Sequence, residues 1–170
     1  MHNSIFLGAG AKLPHDRYGP PRQTLEAAFV DLGRRGVRTV RVSPWYRTAP
    51  VPASDQPWFE NAVVEVASDL PADAVLAALH AVEAAFGRAR TVPNAARPID
   101  LDLLDYRGAI APGGPGKATL PHPRMAGRAF VLRPLADLAP DWRHPVTGQP
   151  ISELLAALPA GQVAERAVNP

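Results

Sequence analysis

The sequence predicts an α+β fold in which two helices cover one face of an antiparallel sheet and leave the other face for a ligand. Two observations support this prediction. Apolar residues recur at helical spacing in two long segments, and they alternate with polar residues in shorter segments around them. We therefore expect an order of strand, helix, strand, strand, helix and strand along the chain.

The first three elements are predicted in the N-terminal quarter. Residues 4–7 form a short apolar strand, and a glycine-rich turn is expected at 8–11. No Gly-Lys-Ser/Thr follows those glycines, so a phosphate loop of the Walker type is not expected. An apolar face at i, i+3, i+4 and i+7 predicts a helix from about Pro21 to Arg34, and residues 37–42 alternate as a second strand.

The next three elements are the better defined ones. A third strand is expected over 58–67, after a proline-rich segment, 48–57, that should be stiff. Residues 71–86 predict the second helix, with an apolar stripe that leaves Glu83 on a different face. Alternation over 99–103 predicts the fourth strand. The resulting βαββαβ order is the ferredoxin-like pattern.

The C-terminal part gives weaker signals. Residues 111–116 read as a loop tip, 135–138 as a helical turn, and 151–158 as a last short helix. We expect a single domain over 1–170, with a core from about 3 to 142 and a C-terminal extension from 143 to 170.

Composition restricts the classes of function. The chain has no cysteine, so disulfides and thiolate metal sites are excluded, in keeping with a reducing compartment. The formal net charge of +2 is small for a nucleic-acid-binding protein, and no apolar run could cross a bilayer. We expect a cytoplasmic protein that binds neither nucleic acid nor membrane.

An aspartate pair stands out in the fourth strand. Asp100 and Asp102 alternate with apolar residues, so both carboxylates should project from one face of the sheet. Two neighbouring carboxylates repel each other, and Mg²⁺, which prefers oxygen ligands, would remove that penalty. The alternative is an exposed edge strand with solvated aspartates.

Cationic side chains surround this pair in the sequence. They are Arg88, Arg90, Arg97, Lys117, His122 and Arg128. Several arginines near one site favour a triphosphate, because each guanidinium can bind phosphate oxygens in pairs. Asn61, if buried, needs hydrogen-bond partners that a flat heterocycle could supply; the alternative is an edge position bonded to water. The residues alone therefore suggest a Mg²⁺-dependent transferase that acts on a nucleotide and a flat polar acceptor.

Five ordered motifs add a specific resemblance. They are Tyr46–Pro50, Asp55–Val63, Glu83 with Gly87–Arg90, Arg97–Asp102, and Leu120–Met125 with Arg128–Phe130. In this order they resemble the 6-hydroxymethyl-7,8-dihydropterin pyrophosphokinase family over about residues 5–142. The resemblance implies transfer of diphosphate from ATP to the hydroxymethyl group of 6-hydroxymethyl-7,8-dihydropterin, with AMP as the second product, in folate biosynthesis.

The resemblance also implies roles for residues. It implies that two Mg²⁺ ions are held by Asp100 and Asp102, which with Arg88 and Arg97 form the catalytic set. It implies that ATP contacts Glu83, Arg88, Arg90, Arg97, Lys117, His122 and Arg128. It implies that the pterin contacts Thr48, Pro50, Val51, Phe59, Asn61 and Phe130. A monomer is expected.

Two other functions remain open from the sequence. One is a ferredoxin-like binding module that holds a nucleotide or pterin without catalysis, because the loop at 91–96 lacks the tryptophan that the family usually carries there. The other is a metal-dependent phosphohydrolase that uses the same aspartates and water.

Overall fold

The computed structural model describes residues 2–49, 55, 57–87 and 98–167. In chain order the elements are β1 (Ile5–Ala11), α1 (Pro21–Arg34), β2 (Arg38–Val42), β3 (Tyr46–Thr48), β4 (Phe59–Ala67), α2 (Ala72–Ala85), β5 (Asp100–Tyr106), β6 (Ala111–Gly114), β7 (Lys117–Leu120), α3 (Ala129–Leu138), α4 (Ile151–Ala156) and β8 (Ala164–Arg166). A single 3₁₀ turn, Met125–Gly127, precedes α3.

Six strands form one antiparallel sheet. Its order is β5-β1-β4-β3-β8, and β2 pairs with β4 beside β3. The strands β6 and β7 form a separate hairpin. The predicted α+β class with an antiparallel sheet is therefore confirmed. The sequence pattern did not predict β3 as a strand separate from β2.

The first face of the sheet is covered by α1 and α2. Alternate residues of β1, from Ile5 to Ala11, contribute to the apolar core beneath these helices, together with Leu101 and Leu103 of β5. The apolar stripes of both helices face this core, with Leu25 and Leu79 fully buried. Helical periodicity located both helices correctly because each stripe must be buried against the sheet.

The second face was expected to be free for a ligand, but part of it is covered. One end of it is covered by α3 and α4, which bury Phe6, Val63 and Leu104 of the sheet together with Trp142. Exposing these apolar side chains to water would cost free energy. At the other end of this face β1 presents only Gly8 and Gly10, so no side chain of that strand needs cover.

The predicted helical turn at 135–138 is the end of a longer helix. The helix α3 begins at Ala129 and contains Pro134, which has no N–H to donate within the helix. Burial of Val131, Leu132 and Leu135 on the second face outweighs that loss. The proline made this helix look shorter from sequence than it is.

Two predicted irregular segments are strands. Residues 8–11, expected as a turn, continue β1, and residues 111–114, expected in a loop tip, form β6. The hairpin requires glycine at position 113, which has a φ of +80° and lies against Thr119. A Cβ atom there would clash with the Thr119 hydroxyl oxygen.

The C-terminal residues complete the sheet. The strand β8 pairs with β3, so that residues 164–166 form the sheet edge beyond 46–48. The short α4 packs on α3 in the second core. Among the described residues, no helix is both long and apolar enough to cross a membrane.

A buried carboxylate joins the end of the sheet to the second core. Asp105 is fully buried, and its carboxylate accepts hydrogen bonds from the Trp142 indole N–H at 2.8 Å and the Gly108 backbone N–H at 2.9 Å. The His2 Nε2 atom lies 2.8 Å from the same carboxylate. These partners offset the cost of removing Asp105 from water.

We predict that Asp105→Ala lowers the free energy of unfolding by about 2–4 kcal/mol, because the Trp142 and Gly108 donors lose their acceptor. Urea unfolding followed by circular dichroism measures this change. The exposed Asp69 provides the control, since Asp69→Ala should change stability by less than about 0.5 kcal/mol. Equal stabilities for the two variants would contradict the role of Asp105.

Candidate functional site

The uncovered end of the second face has a floor of backbone. Gly10 of β1 lies opposite Asn61 of β4 on one side and opposite Asp100 of β5 on the other. Gly8 lies opposite Asp102 in the next row of the same face. We call this surface, formed by Gly8, Gly10, Asn61, Asp100 and Asp102, the glycine trough. The two glycines leave it open between an amide and two carboxylates.

The aspartates project from β5 as the alternation predicted. Leu101, between them, is buried in the first core, whereas Asp100 and Asp102 are partly exposed on the second face. Residues two apart in a strand are about 7 Å apart along it. β5 is paired on one side with β1.

The position of Glu83 corrects one prediction, while its contact with ATP stays a prediction. It was expected on a face of α2 away from the buried stripe. Instead its side chain is buried, with 3% exposed, and its Oε2 atom accepts a hydrogen bond of 3.0 Å from the Leu101 backbone N–H. Leu101 lies between the two aspartates, so this carboxylate fixes the strand that carries them.

The aspartate pair fits a hard divalent cation. Both side chains offer carboxylate oxygens, and the Asp102 side chain is 41% exposed, so water or phosphate can reach it. Within the described ranges, no group of three or more His, Cys, Asp or Glu side chains could hold a metal ion by itself. Such a donor set suits Mg²⁺, which commonly keeps waters and substrate phosphates as its other ligands.

His122 approaches the pair from the loop after β7. Its Nε2 atom lies 4.0 Å from Asp102 Oδ1, and its backbone N–H donates to the Leu104 carbonyl at 2.9 Å. Burial lowers the pKa of His122 below its ordinary value; Asp102 opposes this shift, and Arg128 and Arg124 add to it. The imidazole is therefore mainly neutral at pH 7, and it can still donate one hydrogen bond to a phosphate.

Asn61 is held in one orientation. It is 6% exposed, and its Nδ2 atom donates a hydrogen bond of 2.7 Å to the Thr48 hydroxyl, which is also buried. A Cβ atom on Gly10 would lie 2.6 Å from Asn61 Oδ1. The alternative of an exposed edge position for Asn61 is therefore wrong, and Gly10 is required by the position of this amide.

Two aromatic rings lie under cations. The Lys12 ammonium lies 5.4 Å from the ring centroid of Phe59, and the Arg128 guanidinium lies 5.3 Å from that of Phe130. Phe59 is two residues from Asn61 on the same face of β4, and Phe130 lies in the first turn of α3. Both rings are half-buried and have polar neighbours, as expected of surfaces on which a flat ligand could stack.

The remaining predicted residues divide into two groups. Lys117 is exposed at the start of β7, and the next residue, Ala118, donates its backbone N–H to Asp73 in the first turn of α2 at 2.8 Å. The others lie outside the described residues. They are Pro50, Val51, Arg88, Arg90 and Arg97.

A polar cluster that sequence reasoning missed supports the Thr48 side of the trough. The Tyr46 hydroxyl donates to the Asp137 carboxylate, to which Arg166 also donates at 2.8 Å. Burial, and next the hydrogen bond to Asp137, raise the pKa of Tyr46 above its ordinary value. Alternation with Thr48 places Tyr46 on this face, but no local pattern connects it with Asp137, 91 residues away.

Comparison with known proteins gives matches over most of the chain. Residues 6–140 match the model of the 7,8-dihydro-6-hydroxymethylpterin-pyrophosphokinase family. A 2-amino-4-hydroxy-6-hydroxymethyldihydropteridine pyrophosphokinase from Methylorubrum extorquens is 41% identical over 158 residues, which are 92% of this chain and 94% of that protein. The similarity therefore covers nearly the whole of both chains.

Longer proteins contain a similar segment. The folic acid synthesis protein fol1 of Schizosaccharomyces pombe is 38% identical over 125 residues, 74% of this chain, and the match spans only 17% of that protein. The structure of Plasmodium falciparum HPPK-DHPS is similar in fold, with a TM-score of 0.66 and 14% identity, over 92% of this chain and 43% of that one.

We predict that Gly10→Ala lowers the free energy of unfolding by about 1–3 kcal/mol, because the new methyl group must displace Asn61 from its hydrogen bond with Thr48. Gly8→Ala is the matched control on the same strand and face. Its Cβ would meet Leu104 at 3.5 Å, an ordinary contact. Thermal unfolding of both variants tests this, and a larger loss for Gly8→Ala would contradict it.

Proposed function

The chain belongs to the 7,8-dihydro-6-hydroxymethylpterin-pyrophosphokinase family, and we propose that it transfers diphosphate from ATP to 6-hydroxymethyl-7,8-dihydropterin, a step of folate synthesis. The observation that carries this proposal is the glycine trough, where a fixed amide and a carboxylate pair flank the same two glycines. An anchored amide suits a heterocycle, and a carboxylate pair suits metal-bound phosphates.

In this proposal the pterin lies on the Asn61 side. Asn61 Oδ1 accepts a hydrogen bond from an N–H group on the edge of the ring, because the hydrogen bond to Thr48 fixes the amide in that orientation. Phe59 and Phe130 stack on the ring, and Thr48 orients Asn61 rather than binding the pterin directly. Pro50 and Val51 are proposed pterin contacts on the resemblance alone.

ATP lies on the aspartate side in the same proposal. Asp100 and Asp102 would hold two Mg²⁺ ions, which when bound would neutralise phosphate charge as it develops. Glu83 acts by fixing Leu101 between them, a positioning role, and its contact with ATP stays a prediction. The proposed phosphate-binding side chains are Arg88, Arg90, Arg97, Lys117, His122 and Arg128.

The proposed reaction needs positioning more than covalent chemistry. The hydroxymethyl oxygen of the pterin forms a bond to the β-phosphorus of ATP, and the bond from that phosphorus to the α,β-bridging oxygen breaks. AMP leaves with the bridging oxygen, and the hydroxyl proton is released. Neighbouring strands are about 4.8 Å apart, so Asn61 and Asp100, on either side of Gly10, lie roughly 10 Å apart and can hold the two substrates side by side.

The architecture proposed for this activity is the ferredoxin-like fold. Support comes from the order β5-β1-β4-β2, in which the four strands alternate with α1 and α2 along the chain as βαββαβ. In this assignment β3 and β8 are additions at the sheet edge. We also propose that the protein works as a monomer, because every residue proposed to bind a substrate or metal comes from the same chain.

The deciding experiment measures AMP release from ATP and Mg²⁺ with and without 6-hydroxymethyl-7,8-dihydropterin. We expect pterin-dependent AMP, and its loss when Mg²⁺ is chelated. Binding of both ligands without AMP would indicate a binding module, and phosphate release without pterin would indicate a hydrolase.

Asp102→Asn should lower turnover in the same assay at least about a hundredfold while the protein stays folded, because a charge that attracts the metal is lost from a partly exposed side chain.

We predict that Asn61→Ala weakens pterin binding about tenfold to a hundredfold, or about 1.4–2.8 kcal/mol, and changes ATP binding less than threefold. Calorimetric titration of each ligand measures this. The exposed Asn3 gives the control, since Asn3→Ala should change neither affinity. Equal losses for pterin and ATP would refute the assignment of Asn61 to the pterin side.

A further inference from the structure

The C-terminal segment contacts two elements that border the second face, the strand β3 and the start of the helix α3. We call residues 162–167 the C-terminal clasp. On one side, Val163 accepts a hydrogen bond of 3.3 Å from the Ala49 N–H, and Ala167 donates one of 2.7 Å to the Trp45 carbonyl, so the clasp brackets β3. This segment lies beyond the residues that match the family model, which end at 140.

On the other side, the clasp holds the start of α3 through one side chain. Gln162 Oε1 accepts a hydrogen bond of 2.8 Å from the Ala129 N–H, and Gln162 Nε2 donates one of 2.8 Å to the Gly127 carbonyl. These two backbone groups lie on either side of Arg128. One amide side chain therefore fixes the main chain before and after that arginine.

The start of α3 needs this support. The first N–H groups of a helix have no partner within the helix, and the residue before α3, Arg128, makes no side-chain hydrogen bond that caps it. Ala129 is 2% exposed, so water does not readily replace the missing acceptor. Gln162, 33 residues further along the chain, supplies it.

We propose that Gln162 is a positioning residue that holds Arg128 and Phe130 in place for their substrates. This proposal rests on the proposed function, in which Arg128 binds ATP and Phe130 stacks on the pterin. Arg128 lies between the two backbone groups that Gln162 binds, and Phe130 directly follows Ala129. Their mutual contact, guanidinium over ring at 5.3 Å, depends on the same turn of backbone.

The positioning role predicts a particular kinetic change. When Gln162 is truncated, the first turn of α3 frays and both side chains sample several orientations, so each substrate binds less well. A merely structural loss would instead reduce the fraction of folded enzyme. That would lower apparent kcat and leave both KM values unchanged.

The test compares Gln162→Ala with the wild-type protein by steady-state AMP release, with ATP and pterin varied in turn. We expect KM for each substrate to rise at least fivefold. Gln162→Glu keeps an acceptor for the Ala129 N–H but cannot donate to Gly127, so its KM values should rise about threefold. If Gln162→Ala does not fold, the KM values of Gln162→Glu decide whether the positioning role stands.

Gln149→Ala is the matched control, since that glutamine donates to Glu153 at 3.1 Å on the exposed side of α4 and its KM values should stay at those of the wild type. KM values within twofold of the wild type in the deciding Gln162 variant overturn the positioning role. Absence of pterin-dependent AMP in the wild-type protein would overturn the proposed function itself, so the two failures are distinct.

Discussion

The close approach of Asn61 to Gly10 is the contact on which the rest of the site depends. An amide oxygen occupies the place where a side chain at position 10 would begin, so β1 must pass between β4 and β5 with bare backbone on this face. The same pairing brings Asp100 to the opposite side of Gly10. With Gly8 in the next row, the bare backbone of β1 leaves a groove between an amide and a carboxylate pair.

The two faces of the sheet are used differently because their residues differ. The first face is apolar along the whole of β1 and is fully covered by α1 and α2. On the second face, Phe6, Val63 and Leu104 are buried beneath α3 and α4, whereas Gly10 and the half-buried Phe59 lie toward the other end. The proposed function therefore uses the end of this face where β1 presents only glycine backbone.

The edges of the site are fixed by hydrogen bonds between distant residues. Glu83 fixes β5 through Leu101, Arg166 joins Asp137 beside Tyr46, and Gln162 holds the start of α3. In the proposed arrangement these hydrogen bonds act within the protein rather than on a ligand. They fix the backbone from which the ligand-binding side chains project, which is how a shallow site gains a defined geometry.

Local periodicity was enough to predict α1, α2, the strand that carries Asn61, and the shared face of Asp100 and Asp102, because alternation and helical spacing depend only on near neighbours. The tertiary structure decided what local patterns cannot encode: the burial of Glu83, the full length of α3 despite Pro134, and the addition of β8 to the sheet edge. Each depends on a partner far along the chain, such as Leu101 for Glu83 or β3 for β8. The sequence by itself determined which residues could carry the chemistry, and the tertiary contacts decided which of them face the trough and which support it.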